Sequence, residues 1–279
     1  MTLTIDIERL SPILGARIKG IDWHRPPDAV AIQGIKEAFA QYSVLCFPDQ
    51  KITPRDQANF AAIFGRVDDG YRPHDSEERK KSDSRGVMLV SNIRKNGKPV
   101  GQLPDGEMQF HSDGAHRASP YRATTLFAVK IPSRGGETKF ANLHAAFDAL
   151  SASVQERLEG LQVHNVYDYD AVTRETSTEG LSAATHPLVK VHPDNGRKAL
   201  YLSRLMSRSI VGMDAAESDA LLEELFDHIE RPEFVYAHAW TPGELLIWDN
   251  RSLNHARNDF PGDEMRLLRR YTVSEPDAG

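Results

Sequence analysis

Glu107-Met108-Gln109-Phe110-His111-Ser112-Asp113-Gly114 reads as a β-strand carrying an imidazole and a carboxylate two residues apart. Side chains alternate faces along a strand, so His111 and Asp113 are expected to point the same way. A His and an Asp converging on one point make two-thirds of the 2-His-1-carboxylate facial triad that holds non-heme Fe(II). In a chain with 11 His and 40 acidic residues such pairs also arise by chance. A solvated pair at a strand end therefore fits the same residues. A third ligand, and groups that bind anions nearby, would separate the two readings.

The segments around this strand are mostly β. Upstream, Leu3-Thr4-Ile5, Leu14 to Ile18, Tyr42 to Phe47 and Gly86 to Ser91 read as strands. Ala29 to Gln41 has the helical period, and Thr53-Pro54 opens a second helix through a threonine N-cap and a proline at the first position. Residues 66–86 read as a charged lid or loop, and Asn92 to Asp105 as a long polar loop. Downstream, Tyr121 to Val129, Thr138 to Phe140 and Leu161 to Tyr167 read as strands. Pro193-Asp194-Asn195-Gly196 turns a hairpin between His186–His192 and Ala199–Leu202. Asn142 and Ser151 start short helices, and Asp214 to Ile229 is a clear amphipathic helix. Strands return at Phe234–Trp240, Glu244–Trp248 and Leu267–Val273. The alternation of a doubly wound parallel sheet is missing. The pattern predicts a mainly β, α+β chain: a β-sandwich or jelly roll decorated by helices.

Composition narrows the function classes. A net charge of −6 without a basic tract argues against non-specific nucleic-acid binding. No apolar run approaches the ~18 residues of a membrane span, and no basic stretch precedes an apolar one at the N-terminus. The single cysteine, Cys46, sits in an apolar run and reads as a small core residue, which fits a reducing compartment. A cytoplasmic protein without membrane or nucleic-acid partners is the expectation.

His255, beyond the Trp248-Asp249-Asn250-Arg251 turn, is the candidate third ligand, because distant strands of a jelly roll meet at its mouth. Arg266 and Arg270 lie four apart on a predicted strand, so both face one side, with Cα atoms roughly 14 Å apart at ~3.4 Å per residue. Guanidiniums facing a barrel interior are costly unless each meets an anion. Their planar fork suits carboxylates. A solvent-facing strand edge is the competing reading of the same arginines.

Taken in order, several motifs resemble the TauD/TfdA family of Fe(II)/2-oxoglutarate-dependent dioxygenases. They are Phe110-His111-Ser112-Asp113, Pro132 to Thr138, His186-Pro187-Leu188-Val189, His192-Pro193, Gly196 to Tyr201, Trp248 to Ala256, and Arg266 to Val273. Leu10 to Ala16 and Phe64-Gly65 fit as well, so the resemblance spans essentially the whole chain, residues 1–279 as a single domain with a helical insertion at about 203–232. The resemblance implies a double-stranded β-helix, a cupin-like jelly roll. It implies Fe(II), 2-oxoglutarate and O₂, with His111, Asp113 and His255 as iron ligands and catalytic centre. Thr138 and Arg266 match the groups that hold the distal carboxylate of 2-oxoglutarate. Arg270, grouped with them, matches the arginine that reaches the substrate's anionic end in the taurine enzyme. Trp248 matches a tryptophan near the metal pocket and fits a core aromatic equally. Asp113 itself argues for hydroxylation, because halogenases of related type carry a small residue there.

The substrate is less determined. Tyr71 and His74 stand in the loop where the taurine enzyme grips its substrate, but in reversed order and at different spacing. Taurine is therefore disfavoured. Asn92, Gly114 and Tyr71 join Arg270 as substrate-pocket candidates. The expected substrate is a small organic anion: a sulfonate, an aryloxyalkanoate or a related carboxylate. An amino-acid or natural-product hydroxylase of the same family, a non-catalytic metal-binding jelly roll and a zinc hydrolase on the same triad are the alternatives. Family members are commonly dimers or tetramers, so a homo-oligomer is what the resemblance implies.

Overall fold

A computed structural model of the chain describes residues 5–25, 27–68, 86–99, 101, 107–167, 173 and 180–275. The first strands are β1 (Asp6–Arg9), β2 (Ala16–Lys19), β3 (Val44–Phe47), β4 (Arg66–Val67), β5 (Met88–Ser91), β6 (Arg94–Lys95) and β7 (Lys98–Pro99). The middle of the chain holds β8 (Met108–His111), β9 (Tyr121–Lys130), β10 (Thr138–Asn142), β11 (Gln162–Tyr167), β12 (Ser182–Pro187), β13 (Val189–Val191) and β14 (Lys198–Leu200). The last are β15 (Ser207–Ile210), β16 (Val235–His238), β17 (Leu245–Asp249), β18 (Leu253–Arg257) and β19 (Leu267–Ser274). Five α-helices accompany them among the described residues: α1 (Ala29–Tyr42), α2 (Pro54–Ala62), α3 (Leu143–Asp148), α4 (Ala152–Leu158) and α5 (Ala215–Ile229).

Two sheets face each other. The larger has eight strands in the order β1-β2-β3-β17-β9-β19-β4, with β5 also pairing β19; the smaller is β16-β10-β18-β8. Neighbours run antiparallel except for β2 beside β3. Burial follows the two-residue period of a strand covered on both sides. Along β17, Leu245 and Ile247 join the core under α1 and α2, while Leu246 and Trp248 join the core between the sheets. On the smaller sheet, Phe140 enters the inter-sheet core and Ala141 the core shared with α3 and α5. This is the jelly roll with helical decoration that the strand pattern predicts. Thr53 caps α2 in a full capping box with Asp56, with Pro54 at the helix start.

Two local readings change. Residues 92–105 are not wholly loop, because β6 and β7 pair as a short hairpin. The stretch at 203–232 opens with a strand, β15, which pairs β11 before α5 begins. Its sequence Ser-Arg-Ser-Ile carries too little apolar alternation to announce itself. The first described strand begins at Asp6, and Leu3 and Thr4 of the strand expected at Leu3-Thr4-Ile5 lie outside the described residues. Most of the expected lid at 66–86 lies outside the described residues, but Arg66–Val67 pairs with β19.

The helix-side core is tied by aromatic edges: Phe60 lies 4.5 Å from Trp23, 5.2 Å from Phe47 and 5.4 Å from Phe64 between ring centroids. Phe60→Ala leaves a large cavity there and should cost about 3–5 kcal/mol of stability in urea unfolding. Divalent-metal affinity should stay unchanged, because the ring belongs to the far face of the larger sheet.

Candidate active site

The two imidazoles meet through sheet register. His255 on β18 stands directly opposite His111 on β8, and Phe140 on β10 flanks His255 from the other side. Directly paired residues share a face, and the two rings lie 4.0 Å apart between centroids. The Nδ1 of His111 is 2.9 Å from the Gln109 carbonyl. A carbonyl can only accept, so Nδ1 carries the proton and Nε2 presents its lone pair to the cavity.

Asp113 arrives by a different route from the one expected. Strand β8 ends at His111, and Asp113 stands in the turn that follows. The alternation argument therefore does not place it. The turn bends at Gly114, with φ +77, where a Cβ would sit 2.9 Å from the backbone nitrogen of Tyr121. The carboxylate still reaches both rings: Oδ1 is 3.8 Å from His111 Nε2 and Oδ2 is 3.7 Å from His255 Nε2. The ligand atoms of the three residues all lie within 4.8 Å of one another, and all three are buried. Two imidazole nitrogens and one carboxylate oxygen converging in this way form a donor set for a divalent non-heme metal.

A hydrogen-bonded chain fixes Asp113. Thr124 Oγ1 donates to its Oδ2 at 2.6 Å, Asn250 Nδ2 donates to Thr124 Oγ1 at 3.0 Å, and Trp248 Nε1 donates to Asn250 Oδ1 at 3.0 Å. Arg270 Nη2 lies 2.6 Å from Asp113 Oδ1. Burial opposes ionisation of Asp113, but the Arg270 charge and the Thr124 hydrogen bond hold its carboxyl well below the usual carboxylate range. Burial pushes His111 down and His255 further down, so both rings are neutral, the form that coordinates a metal.

A cavity of about 160 Å³ opens over this centre. Arg266, only 2% exposed, lines it with Thr138. Its Nε has no partner, and its Nη2 meets the Gly136 carbonyl only at 3.4 Å. Burial, with Arg257 nearby, lowers Arg266 to about 9. A buried guanidinium so poorly satisfied is suited to a carboxylate. Thr138 Oγ1 accepts from Trp240 Nε1 at 3.0 Å, which leaves its own proton to donate. Both residues thus fit the distal carboxylate of an oxo acid.

Arg270 and Gly114 also line the cavity. Asn92 does not: its amide donates to the Glu264 carbonyl at 2.7 Å and accepts from the Arg266 N–H at 2.9 Å. It is a clamp at the start of β19, which corrects the expectation that it touches substrate. Tyr71 and His74 lie outside the described residues. Trp248 satisfies both readings, buried in the inter-sheet core with its ring 4.7 Å from that of His255. His116 lines the cavity, whereas His144 packs against His192 instead. His192 is structural, as expected, meeting Asp249 Oδ2 at 3.0 Å. Cys46 is buried and donates to Glu244 Oε1 at 3.5 Å, in a cluster knit by His238.

Thr124 and Arg257 were not legible as site residues, although Arg257 is two residues beyond His255 on one strand, where period-two spacing could have found it. Tyr167 and Met206, on the cavity wall, come from separate segments with no motif to mark them.

A family profile described as "Taurine catabolism dioxygenase TauD, TfdA family" matches residues 6–272. The (S)-phenoxypropionate/alpha-ketoglutarate-dioxygenase of Sphingobium herbicidovorans is 31% identical, over 96% of this chain and 94% of that protein. The alpha-ketoglutarate-dependent 2,4-dichlorophenoxyacetate dioxygenase of Cupriavidus pinatubonensis is also 31% identical, over 95% of this chain and 96% of its own length. Among solved structures, AAD-2 in complex with Mn(II) and N-oxalylglycine superposes with a TM-score of 0.83 at 31% identity, covering 98% of both chains. Sequence motifs, sheet topology and these matches agree: the chain belongs to the TauD/TfdA family of dioxygenases.

Proposed function

We propose that this oxidoreductase hydroxylates a small organic anion of the aryloxyalkanoate or related carboxylate type, using Fe(II), 2-oxoglutarate and O₂, with His111, Asp113 and His255 holding the metal. The observation that carries the reading is the convergence of those three side chains beneath the buried, poorly satisfied Arg266. When bound, Fe(II) with 2-oxoglutarate and O₂ supplies the oxidising power, the oxo acid leaving as succinate and CO₂. The protein contributes position and dryness. Thr124 and Arg270 fix the two oxygens of Asp113, and the Gln109 carbonyl fixes the tautomer of His111. Thr138 and Arg266 orient the co-substrate through its distal carboxylate. Met88, Met108, Tyr167 and Met206 give the wall an apolar and aromatic lining, suited to the carbon skeleton of a substrate whose anionic end meets Arg270. The relatives named for phenoxypropionate and 2,4-dichlorophenoxyacetate support an aryloxy acid over a sulfonate. A panel of aryloxyalkanoates, sulfonates and amino acids scored by succinate formation under O₂ tests this. Turnover with amino acids alone would reject it.

Arg270→Leu should raise the substrate KM by about 10- to 100-fold, the loss expected when a charge-assisted hydrogen bond is removed. The same guanidinium also steadies Asp113, so metal affinity should fall as well, but by less. Unchanged substrate KM in this variant would remove Arg270 from the substrate site.

Metal removal exposes the titration of the ligands. Folded-state values below the ordinary 6.5 for His111 and His255, and about 4 for His116, mean that the unfolded chain takes up protons which the buried rings refuse. Their contribution to stability is complete above 6.5 and is lost as pH falls through that value toward the folded-state ones. Asp113, also depressed from 3.8, adds a loss only in stronger acid. In chelator, Tm should therefore fall between pH 7 and 5. The rings stay neutral in the folded protein, so Mn(II) should raise Tm at pH 7, and His255→Ala should remove most of that rise. A rise of the same size in His255→Ala, followed by calorimetry, would contradict the assignment of His255 as a ligand.

A further inference from the structure

We infer that Trp240 is a positioning residue for the co-substrate, its indole N–H orienting the Thr138 hydroxyl so that it donates to the distal carboxylate of the oxo acid. This rests on the assignment of Thr138 and Arg266 in the preceding section. Trp240 Nε1 donates to Thr138 Oγ1 at 3.0 Å, and both residues are buried. An indole N–H can only donate, so it occupies a lone pair of the hydroxyl oxygen and leaves the single hydroxyl proton for another acceptor. Among the described residues the Thr138 hydroxyl makes no other hydrogen bond. Thr138 lines the cavity together with Arg266, where a carboxylate oxygen would accept that proton.

The indole is itself held in place. Strand β16 brings His238 directly opposite Thr138 on β10, and Trp240 follows two residues later. The His238 ring stands edge-on to the indole, with centroids 4.9 Å apart and planes at 87°. Glu244 Oε2 meets His238 Nε2 at 3.0 Å and accepts from the Thr241 N–H at 2.9 Å. One buried carboxylate thus ties the chain on both sides of Trp240. Tyr236 Oη meets the other ring nitrogen of His238 at 3.0 Å. A hydroxyl that already accepts a hydrogen bond is a stronger donor, and one held from rotating loses less entropy when it binds a ligand. Phenylalanine at 240 would fill most of the same space without supplying the N–H, and Thr138 could then turn its proton elsewhere. A monocarboxylic oxo acid offers that proton no acceptor. The contribution of the indole is therefore confined to oxo acids that carry a distal carboxylate.

The test measures binding and needs no turnover. Mn(II)-loaded wild-type protein, Trp240→Phe, Thr138→Val and the double variant are titrated by calorimetry with 2-oxoglutarate and with 2-oxobutyrate, which lacks the distal carboxylate. Trp240→Phe should weaken 2-oxoglutarate by about 3- to 10-fold, the size of one neutral hydrogen bond, and leave 2-oxobutyrate within about two-fold. In the Thr138→Val background the same substitution should add almost nothing, because the indole acts only through that hydroxyl. Glu244→Gln loosens the hold on both flanks of the indole without altering Trp240 or Thr138. It should show the same selective loss at smaller size, and it carries the test if Trp240→Phe melts early. Equal weakening of both oxo acids, weakening of neither, or an undiminished loss in the Thr138→Val background overturns the role of Trp240 alone. Unchanged 2-oxoglutarate binding in Thr138→Val would instead overturn the co-substrate site itself, and this inference with it.

Discussion

The pairing of His111 with His255 across β8 and β18 is the constraint on which the site depends. Two neutral imidazoles are held side by side, their planes tilted by 45°, by backbone register and not by any attraction between them. Their position is therefore as stiff as the sheet, and strand register is pinned by burial on both faces. A one-residue slip would turn His255 out of the cavity and Ala256 into it. The same register sets Phe140 and Thr138 at successive same-face positions of β10, so the metal level and the co-substrate level are spaced by one strand repeat. Loops can vary around such a frame without disturbing it.

The larger sheet contributes the third ligand's support, and here the Trp248-Asp249-Asn250-Arg251 segment has a physical account. Each residue does something separate. Trp248 packs between the sheets and donates to Asn250; Asn250 passes the hydrogen bond to Thr124 on β9 and so to Asp113. Asp249 faces the other way, bound by His192 at 3.0 Å and by the Nε of Arg251 at 2.9 Å. Arg251 extends the network to Asp194 and Glu275. Buried carboxylates of this kind are tolerable only when fully hydrogen-bonded. The turn is thereby locked, and β18 begins in the correct register three residues later.

Much of the fold was legible because its core strands carry plain period-two or all-apolar patterns, as in Val44-Leu45-Cys46-Phe47 and Leu245-Leu246-Ile247-Trp248. The hairpin at Pro193 to Gly196 and the cap at Thr53 were legible for the same local reason. The three residues that converge were legible by type and spacing, but the argument for Asp113 was wrong in its geometry: the turn at Gly114, not strand alternation, aims the carboxylate. What could not be read was anything set by tertiary contact. Asn92 has the right chemistry for a substrate group, yet its amide is consumed by the backbone at Glu264 and Arg266. Thr124 looks like any threonine of a buried strand until Asp113 is placed beside it.

Charge gives the strongest reason to expect two anions in this cavity. Its described walls carry the guanidiniums of Arg117, Arg266 and Arg270 and the carboxylates of Asp68 and Asp113, and the Nε of Arg266 has no partner. Arg117 stands 3.7 Å from Asp68 and Arg270 2.6 Å from Asp113, so each acid already has a cation. The histidines add no charge, since burial keeps His111, His116 and His255 neutral. A divalent metal at the triad makes the interior more positive still. In a buried site an excess of that size is expensive unless anions enter with the metal. In the proposed reading a dicarboxylate would offset the charge of Arg266, and Arg270 would meet the anionic end of the substrate from its place beside Asp113.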